Sequence, residues 1–219
     1  IDSMTIPTPN WLQDGVSMLE SNEVEYIFGN CKGIYQDYFT RIVRALTYGA
    51  MSFSSLPGSI IKAKALSKIG IQIEYARAGE DIEWIQRVKY LGIKSKQPDD
   101  ITINYYGFPK NIFQLSRKWF EYSIENAKLN ILTFQKVIYF YLLLAGFLYF
   151  VYSWNYIFTY GQWDQSTAFI PNLNTFFWGA LFGIYFFMRS IYLPLKRKER
   201  LKFIFPINWI LIGLIGIII

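Results

Sequence analysis

The longest apolar run of the chain sets the strongest limit on its fold. Val137–Phe158 extends for about 22 residues without a charged side chain. A helix of about 20 apolar residues crosses a hydrocarbon core of about 30 Å, and a buried core helix does not explain such a length. A second run covers 173–193 and is interrupted only by Arg189, and a third, shorter run covers 203–219. The sequence therefore predicts a transmembrane region over 131–219 in which these three runs are the spans.

Basic residues indicate the orientation of these spans. The formal net charge is +6, and two basic groups flank the apolar runs. They are Lys110, Arg117, Lys118, Lys128 and Lys136 before the first run, and Lys196, Arg197, Lys198, Arg200 and Lys202 between the second and third. Between the first two runs the only charge is Asp164. By the positive-inside rule, we expect a multi-pass membrane protein with a cytoplasmic N-terminal domain and with 161–172 outside. Such a pattern favours anionic membrane lipids as a partner, and we expect no nucleic acid.

The scarcity of histidine and cysteine excludes several classes of site. The chain has no histidine and a single cysteine, Cys31. Ser-His-Asp and Cys-His catalysis, histidine-ligated metals and disulfide frameworks are therefore excluded. We expect Cys31 to be a small buried residue, because no activating partner for a reactive thiol is evident.

Before residue 110 the chain alternates between short apolar strands and amphipathic helices. In chain order the predicted elements are a helix from Trp11 to about Ser21, a strand over Val24–Phe28, a helix over Tyr38–Tyr48, a strand and a helix between Leu56 and Gly70, a helix after Asp81, and strands over Ile93–Gln97 and Ile101–Tyr105. This order predicts an α/β fold for 1–109. Arg41 and Arg44 are expected to be solvated.

Two adjacent carboxylates open one of these helices. A glycine, Gly79, leads into Glu80 and Asp81. An apolar stripe follows at helical spacing, formed by Trp84, Ile85, Val88 and Leu91. Asp81 shares the face of this stripe, so we expect it to point into a cleft, with Glu80 and Glu83 off that face. A carboxylate in such a place can serve as a general base. The alternative is ordinary helix-start chemistry, because free N–H groups and the helix dipole favour negative charge there.

The Gly-Glu-Asp element, the helix with Arg87 and the strand after Gly92 resemble the ED motif of family 2 glycosyltransferases with the GT-A fold. The resemblance implies a partial GT-A, Rossmann-like domain and an inverting enzyme. Such an enzyme moves a sugar from a nucleotide sugar to a lipid-linked or polysaccharide acceptor. It also implies that Asp81 is the catalytic base and that Glu80 shapes the acceptor site.

The first residues resemble the DxD element of the same family. Asp2 is followed by Pro-x-Pro-x-Trp-Leu, in the order found there. The resemblance implies that Asp2 binds the donor diphosphate and a divalent cation, Mn²⁺ or Mg²⁺. The second aspartate of the motif falls on Met4, which is a poor ligand for a hard cation. Because the resemblance starts at this element, we expect the chain to be the C-terminal portion of such an enzyme, with a nucleotide-binding half before it.

Two further elements resemble the acceptor side of the family. Gly58 and Ser59 lie in the glycine-initiated strand about 20 residues before Gly-Glu-Asp. Gln114, Arg117 and Trp119 resemble the Gln-x-x-Arg-Trp motif of processive synthases, with Lys118 inserted before the tryptophan. The resemblance implies that these five residues contact the acceptor. On spacing alone, 110–130 is an interfacial helix with aromatic side chains at the depth of the lipid headgroups.

Two other functions remain open at the level of sequence. One is a non-catalytic membrane scaffold or accessory subunit derived from a transferase, which the Met4 departure favours. The other is a processive polysaccharide synthase, which the inserted Lys118 disfavours, because one extra residue turns Trp119 by about 100° on a helix.

Overall fold

A computed structural model describes residues 4–21, 23–73, 78–152 and 171–219, without the side chains of 149–152 and 171–178. The chain forms two compact units. The first contains Ile1–Ile131 together with Met188–Ile219, and the second contains Leu132–Phe187. The contacts thus divide the chain differently from the predicted boundary near 131, because the last residues pack with the N-terminal part.

A mixed sheet organises the first unit. Its strands are β1 (Thr5–Pro7), β2 (Tyr26–Gly33), β3 (Ser52–Ile61), β4 (Ser95–Lys96) and β5 (Ile103–Tyr105). β3 runs antiparallel to β2 along one edge, and β4 and β5 pair in parallel with β2. β1 adds an antiparallel outer strand to β5. The predicted α/β class is therefore confirmed for this part of the chain.

Five helices are connected to these strands in the described N-terminal part. They are α1 (Trp11–Ser21), α2 (Tyr38–Thr47), α3 (Ala63–Ile69), α4 (Glu80–Tyr90) and α5 (Ile112–Lys128). The ends follow from local chemistry. The N–H of Thr40 donates to Asp37 Oδ1 at 2.8 Å and closes the start of α2, and a positive φ of 64° at Gly92 follows the end of α4.

The apolar stripe of α4 forms part of the core, as predicted. Trp84 and Val88 are buried and pack with Tyr26 and Phe28 of β2 and with Ala65 of α3. Ile85 is half-buried against the same cluster, and Leu91 is exposed. Burial of this face fixes the direction of α4 and therefore the position of its first turn.

The C-terminal segment differs from the predicted third span. Phe203–Ile219 is not one helix. A short helix, Leu201–Ile204, ends within it, and a second helix, Asn208–Gly216, begins after Pro206. Proline lacks an N–H and clashes with the preceding turn, so the helix stops there. A helix of 9 residues is about 14 Å long, which is too short to cross a bilayer. Ile204 and Ile212 instead pack on α2.

Glu199, just before this segment, corrects the expectation that Arg41 and Arg44 are solvated. Arg44 is buried, and its Nη2 donates to Glu199 Oε2 at 2.7 Å. Arg41 Nη2 lies 3.4 Å from Glu199 Oε1. Sequence spacing could not reveal the partner, which is more than 150 residues away.

The second unit contains α6 (Thr133–Tyr152) and α7 (Pro171–Phe187); a π-helical turn, Met188–Tyr192, and α8 (Leu193–Lys196) follow in the first unit. The first predicted span falls on α6, with 153–158 outside the described residues. The second, 173–193, covers most of α7 and continues through the π-helical turn to Leu193. Among the described residues, no single helix has both the length and the apolar composition to cross a membrane. α5 and Thr133–Leu148, taken together, meet those requirements by length and composition.

Candidate functional site

A cleft of about 530 Å³ lies in the first unit at the start of α4. Its floor includes Gly58 and Ser59 of β3 together with Glu80 and Asp81 of α4. Aromatic side chains form much of the rest: Trp11, Tyr48, Phe53, Tyr105 and Tyr122. Residues from β3, α1, α4 and α5 thus meet around one space, although they are far apart in the sequence.

Gly79 positions the two carboxylates. It has a φ of 83°, in the left-handed region that glycine adopts without strain. A side chain there would also collide with Asn126 Oδ1 and would lie 2.8 Å from Ile131 Cδ1. The glycine therefore lets the chain turn into α4 close to the end of α5, which places the first turn of α4 at the cleft.

Asp81 lies at the rim of the cleft and is exposed. Its Oδ1 accepts a hydrogen bond from the N–H of Ile82 at 2.8 Å, which orients the carboxylate. No other hydrogen bond or ion pair holds Asp81 among the described residues. The predicted location in a cleft is confirmed, and one carboxylate oxygen remains available to a ligand.

Glu80 is more enclosed than predicted. It also lines the cleft, so the expectation that it lies off this face is wrong. The reason is that the cleft lies beyond the end of the helix, where adjacent first-turn residues can both reach it. Oε2 of Glu80 is buried and has no hydrogen-bond partner among the described residues. Glu83 does lie off the cleft and accepts a hydrogen bond from Arg87 Nε at 2.9 Å.

Gly58 and Ser59 form the strand side of the cleft. Gly58 has a φ of 79°, and its carbonyl accepts a hydrogen bond from Trp11 Nε1 at 2.7 Å. Ser59 Oγ donates to the carbonyl of Ser55 at 3.0 Å. Both residues lie in a strand, as predicted, but β3 begins at Ser52 and not at Gly58. The carbonyl of Gly58 also holds the indole of Trp11 in the wall.

The aromatic side of the cleft is ordered by stacking and by one lysine. Tyr48 stacks on Phe53 with ring centroids 3.9 Å apart and planes 12° apart. Lys118 Nζ lies 5.3 Å from the centroid of the Tyr122 ring and donates to Tyr105 Oη at 3.1 Å. Desolvation, and after it the charge of Asp81, raises the pKa of Tyr48 to about 12. Tyr48 therefore stays neutral at physiological pH and offers a hydroxyl rather than a charge.

The residues of the Gln-x-x-Arg-Trp element do not line the cleft. Gln114 Oε1 accepts a hydrogen bond from the Lys110 N–H at 3.0 Å and belongs to the start of α5. Arg117 is exposed and pairs with Glu121 at 2.8 Å. Trp119 packs against the cluster formed by Val43, Phe108 and Leu115. Tyr122, one turn after the inserted Lys118, lines the aromatic side of the cleft instead.

Sequence reasoning missed most of the aromatic wall. Tyr48, Phe53, Tyr105 and Tyr122 come from four elements or turns, and no local spacing joins them. Trp11 is part of the Pro-x-Pro-x-Trp-Leu element, but the sequence predicted only that it begins a helix and not that it lines a cleft. Among these residues, only Lys118 and Tyr122 show a local pattern. Their i, i+4 spacing on α5 places them on the same helix face, so the sequence could have predicted that they lie together.

The predicted metal site stays a prediction. Asp2 lies outside the described residues, and Met4 is exposed and does not line the cleft. Within the described ranges, no group of three or more His, Cys, Asp or Glu side chains could hold a metal ion.

Cys31 is buried, as predicted, and burial raises its pKa to about 11. It also lines the cleft, which was not predicted. We expect the native thiol to react with dithionitrobenzoate at pH 8 roughly 10² times more slowly than free cysteine, whose pKa is about 8.5. Because the chain has a single cysteine, absorbance at a single wavelength reports this site alone. Unfolding in detergent should restore the rate of a free thiol, and rapid stoichiometric labelling of the native protein would contradict the assignment.

Comparisons with protein-family models, with curated proteins and with solved structures found no match to this chain.

Proposed function

We propose that the protein is an inverting, GT-A-type glycosyltransferase that acts at the cytoplasmic face of a membrane. One observation carries the proposal. The elements that resemble the family's acceptor strand and its ED motif, Gly58-Ser59 and Glu80-Asp81, converge on one cleft. The motif order in sequence therefore corresponds to proximity in space, which a chance resemblance of short segments does not require.

The geometry supports a division of roles between the two carboxylates. Asp81 takes the proton of the acceptor hydroxyl while the oxygen forms its bond to the anomeric carbon of the donor sugar. The bond from that carbon to the diphosphate breaks, and its electron pair leaves with the nucleoside diphosphate. Because attack and departure occur on opposite faces, the configuration inverts. The Ile82 N–H holds Asp81 Oδ1, which leaves the other oxygen for the proton.

Exposed apolar side chains support the membrane part of the proposal. Phe134, Leu143 and other apolar residues of α6 are largely exposed. A helix that is apolar all round needs a non-aqueous surrounding. Phe113 and Phe120 of α5 are also exposed. They favour the predicted interfacial helix, with lipids as partners. Two crossings, by the segments of α6 and α7, fit the structure better than three, because 203–219 is broken and packs on α2.

Single cysteines can test this topology, because Cys31 is buried. We expect Ser166→Cys to react with an impermeant maleimide added to intact cells, since 161–172 faces out. Lys196→Cys should react only after permeabilisation. Ile218→Cys should also be protected if there are two crossings, whereas three crossings would expose it outside. Labelling of Lys196→Cys in intact cells would overturn the orientation and the cytoplasmic donor.

The activity itself is tested with the full-length protein in lipid nanodiscs. A panel of nucleotide sugars is supplied with glycan and lipid-linked acceptors, and release of the nucleoside diphosphate is compared with sugar incorporation. Acceptor-dependent release with an inverted anomeric product is the expected result. Absence of transfer across the panel, from a folded protein, would favour the non-catalytic scaffold. The length distribution of the product separates single transfer from processive synthesis.

A further inference from the structure

An incompletely satisfied carboxylate indicates what the cleft binds. Glu80 Oε2 is buried without a hydrogen-bond partner among the described residues. Buried polar atoms in folded proteins are nearly always paired, and an unpaired one is costly. A carboxylate oxygen only accepts hydrogen bonds. The partner that this oxygen lacks must be a donor. Because Glu80 lines the cleft, its carboxylate can accept a hydrogen bond from a ligand hydroxyl bound there.

The charges of the cleft disfavour an anionic group on the acceptor. Glu80 and Asp81 lie side by side, and the described residues that line the cleft include no lysine or arginine. Lys118 lies behind the aromatic side, and its ammonium is already held by Tyr105 Oη at 3.1 Å and the Gly107 carbonyl at 3.0 Å. A carboxylate or phosphate entering this partly dehydrated space would meet two like charges.

The aromatic wall complements the carboxylates. The rings of Tyr48 and Phe53, stacked 3.9 Å apart, and the indole of Trp11, fixed by the Gly58 carbonyl, supply apolar surface. A cleft of about 530 Å³ that combines aromatic side chains with several polar groups has the size of a small-molecule site. A sugar ring matches it, because it has an apolar C–H face and an edge of hydroxyl donors.

We infer that the acceptor group entering this cleft is a neutral sugar ring, with its hydroxyl edge on Glu80 and Asp81 and its C–H face on the aromatic wall. Acceptors that carry a carboxylate or phosphate on that ring are rejected. This inference rests on the proposed transferase function and narrows its acceptor class. It assigns Glu80 as a binding residue that selects the ligand by charge.

Matched glycosides test the inference by binding, without a donor. The full-length protein in nanodiscs is titrated with p-nitrophenyl β-glucoside and β-glucuronide, which differ only at one carbon, and with the corresponding galactoside and galacturonide. Saturation-transfer NMR gives the dissociation constants. We expect the neutral member of at least one pair to bind at least about tenfold more tightly, because like charges across an interface are strongly unfavourable. Raising the salt concentration should reduce the ratio.

Variants separate charge from shape. Glu80→Gln keeps the size of the side chain and removes one charge, so the preference should fall several-fold. Glu20→Gln, an exposed residue of α1, should leave it unchanged. Equal or tighter binding of the uronides, an unchanged ratio in Glu80→Gln, or no binding of any glycoside would overturn the inference. Selective binding of neutral glycosides without any sugar transfer would support the inferred acceptor class and contradict the proposed transferase activity. Transfer to a uronide would contradict the inferred acceptor class but not the activity.

Discussion

Asp81→Asn should abolish most of the turnover of the full-length enzyme while leaving the protein folded. Asparagine keeps the size of the side chain and the Oδ1 that accepts from the Ile82 N–H, but it cannot take the acceptor proton. General-base catalysis contributes about 10²–10⁴ in rate, so kcat should fall by that factor. Binding of the nucleotide sugar should change little, because Asp81 acts on the acceptor. Steady-state transfer rates and donor binding by calorimetry give both quantities.

A matched control is available at another helix start. Asp14 is an exposed first-turn carboxylate of α1, and it does not line the cleft. Asp14→Asn should cost about 0.3–1 kcal/mol in stability through the helix dipole and leave kcat within a factor of two or so. Glu83 is a poorer control, since it supports Arg87, which donates to the carbonyls of Ile69 and Ile71. Equal turnover of Asp81→Asn and Asp14→Asn would refute the catalytic role and leave ordinary helix-start chemistry.

Local patterns predicted the elements that depend on local physics. α4 follows from the spacing of Trp84 and Val88, and its end follows from Gly92, because helical periodicity and a left-handed terminal residue are properties of neighbouring residues. The helix over 110–130 was predicted for the same reason, and Asn111 caps it by accepting from the Gln114 N–H at 2.9 Å. The location of Asp81 in a cleft also followed from its position relative to the apolar stripe.

Interactions between distant residues could not be predicted in this way. Hydropathy treated 203–219 as one span, although Pro206 breaks it and Ile212 has a packing surface on α2. Arg44 was expected to be solvated because it is charged. Its partner, Glu199, lies 155 residues later in the chain, after the first two apolar runs, so no local pattern revealed it. The position of Glu80 at the cleft follows from the turn at Gly79, which lies close to Asn126 of α5. Each error concerns a contact whose partner is more than 40 residues away in the chain.

A buried charge cluster joins the C-terminal segment to α2. The side chain of Glu199 is 1% exposed, and it bridges Arg44 at 2.7 Å and Arg41 at 3.4 Å. The guanidinium of Arg41 also lies 3.8 Å from the centre of the Phe203 ring. The cluster anchors the helix whose last turn leads to Tyr48 in the cleft. The contribution of this ion-pair cluster to the free energy of folding depends on the cost of removing its charges from water as much as on their attraction.

Glu199→Gln should therefore destabilise the protein strongly. It leaves the charge of buried Arg44 uncompensated, which typically costs about 3–5 kcal/mol. For a domain of this size, that corresponds to a fall of about 10 °C in Tm, measured by thermal unfolding in detergent. Glu20→Gln, at an exposed site of α1, should stay within about 0.5 kcal/mol. Replacing both partners, Arg44→Met with Glu199→Leu, should recover most of the loss, because the large cost arises from one unpaired buried charge and not from losing the attraction. If Glu199→Gln unfolds at the same temperature as Glu20→Gln, the cluster does not hold the C-terminal segment on α2, and the case for two membrane crossings loses its main structural support.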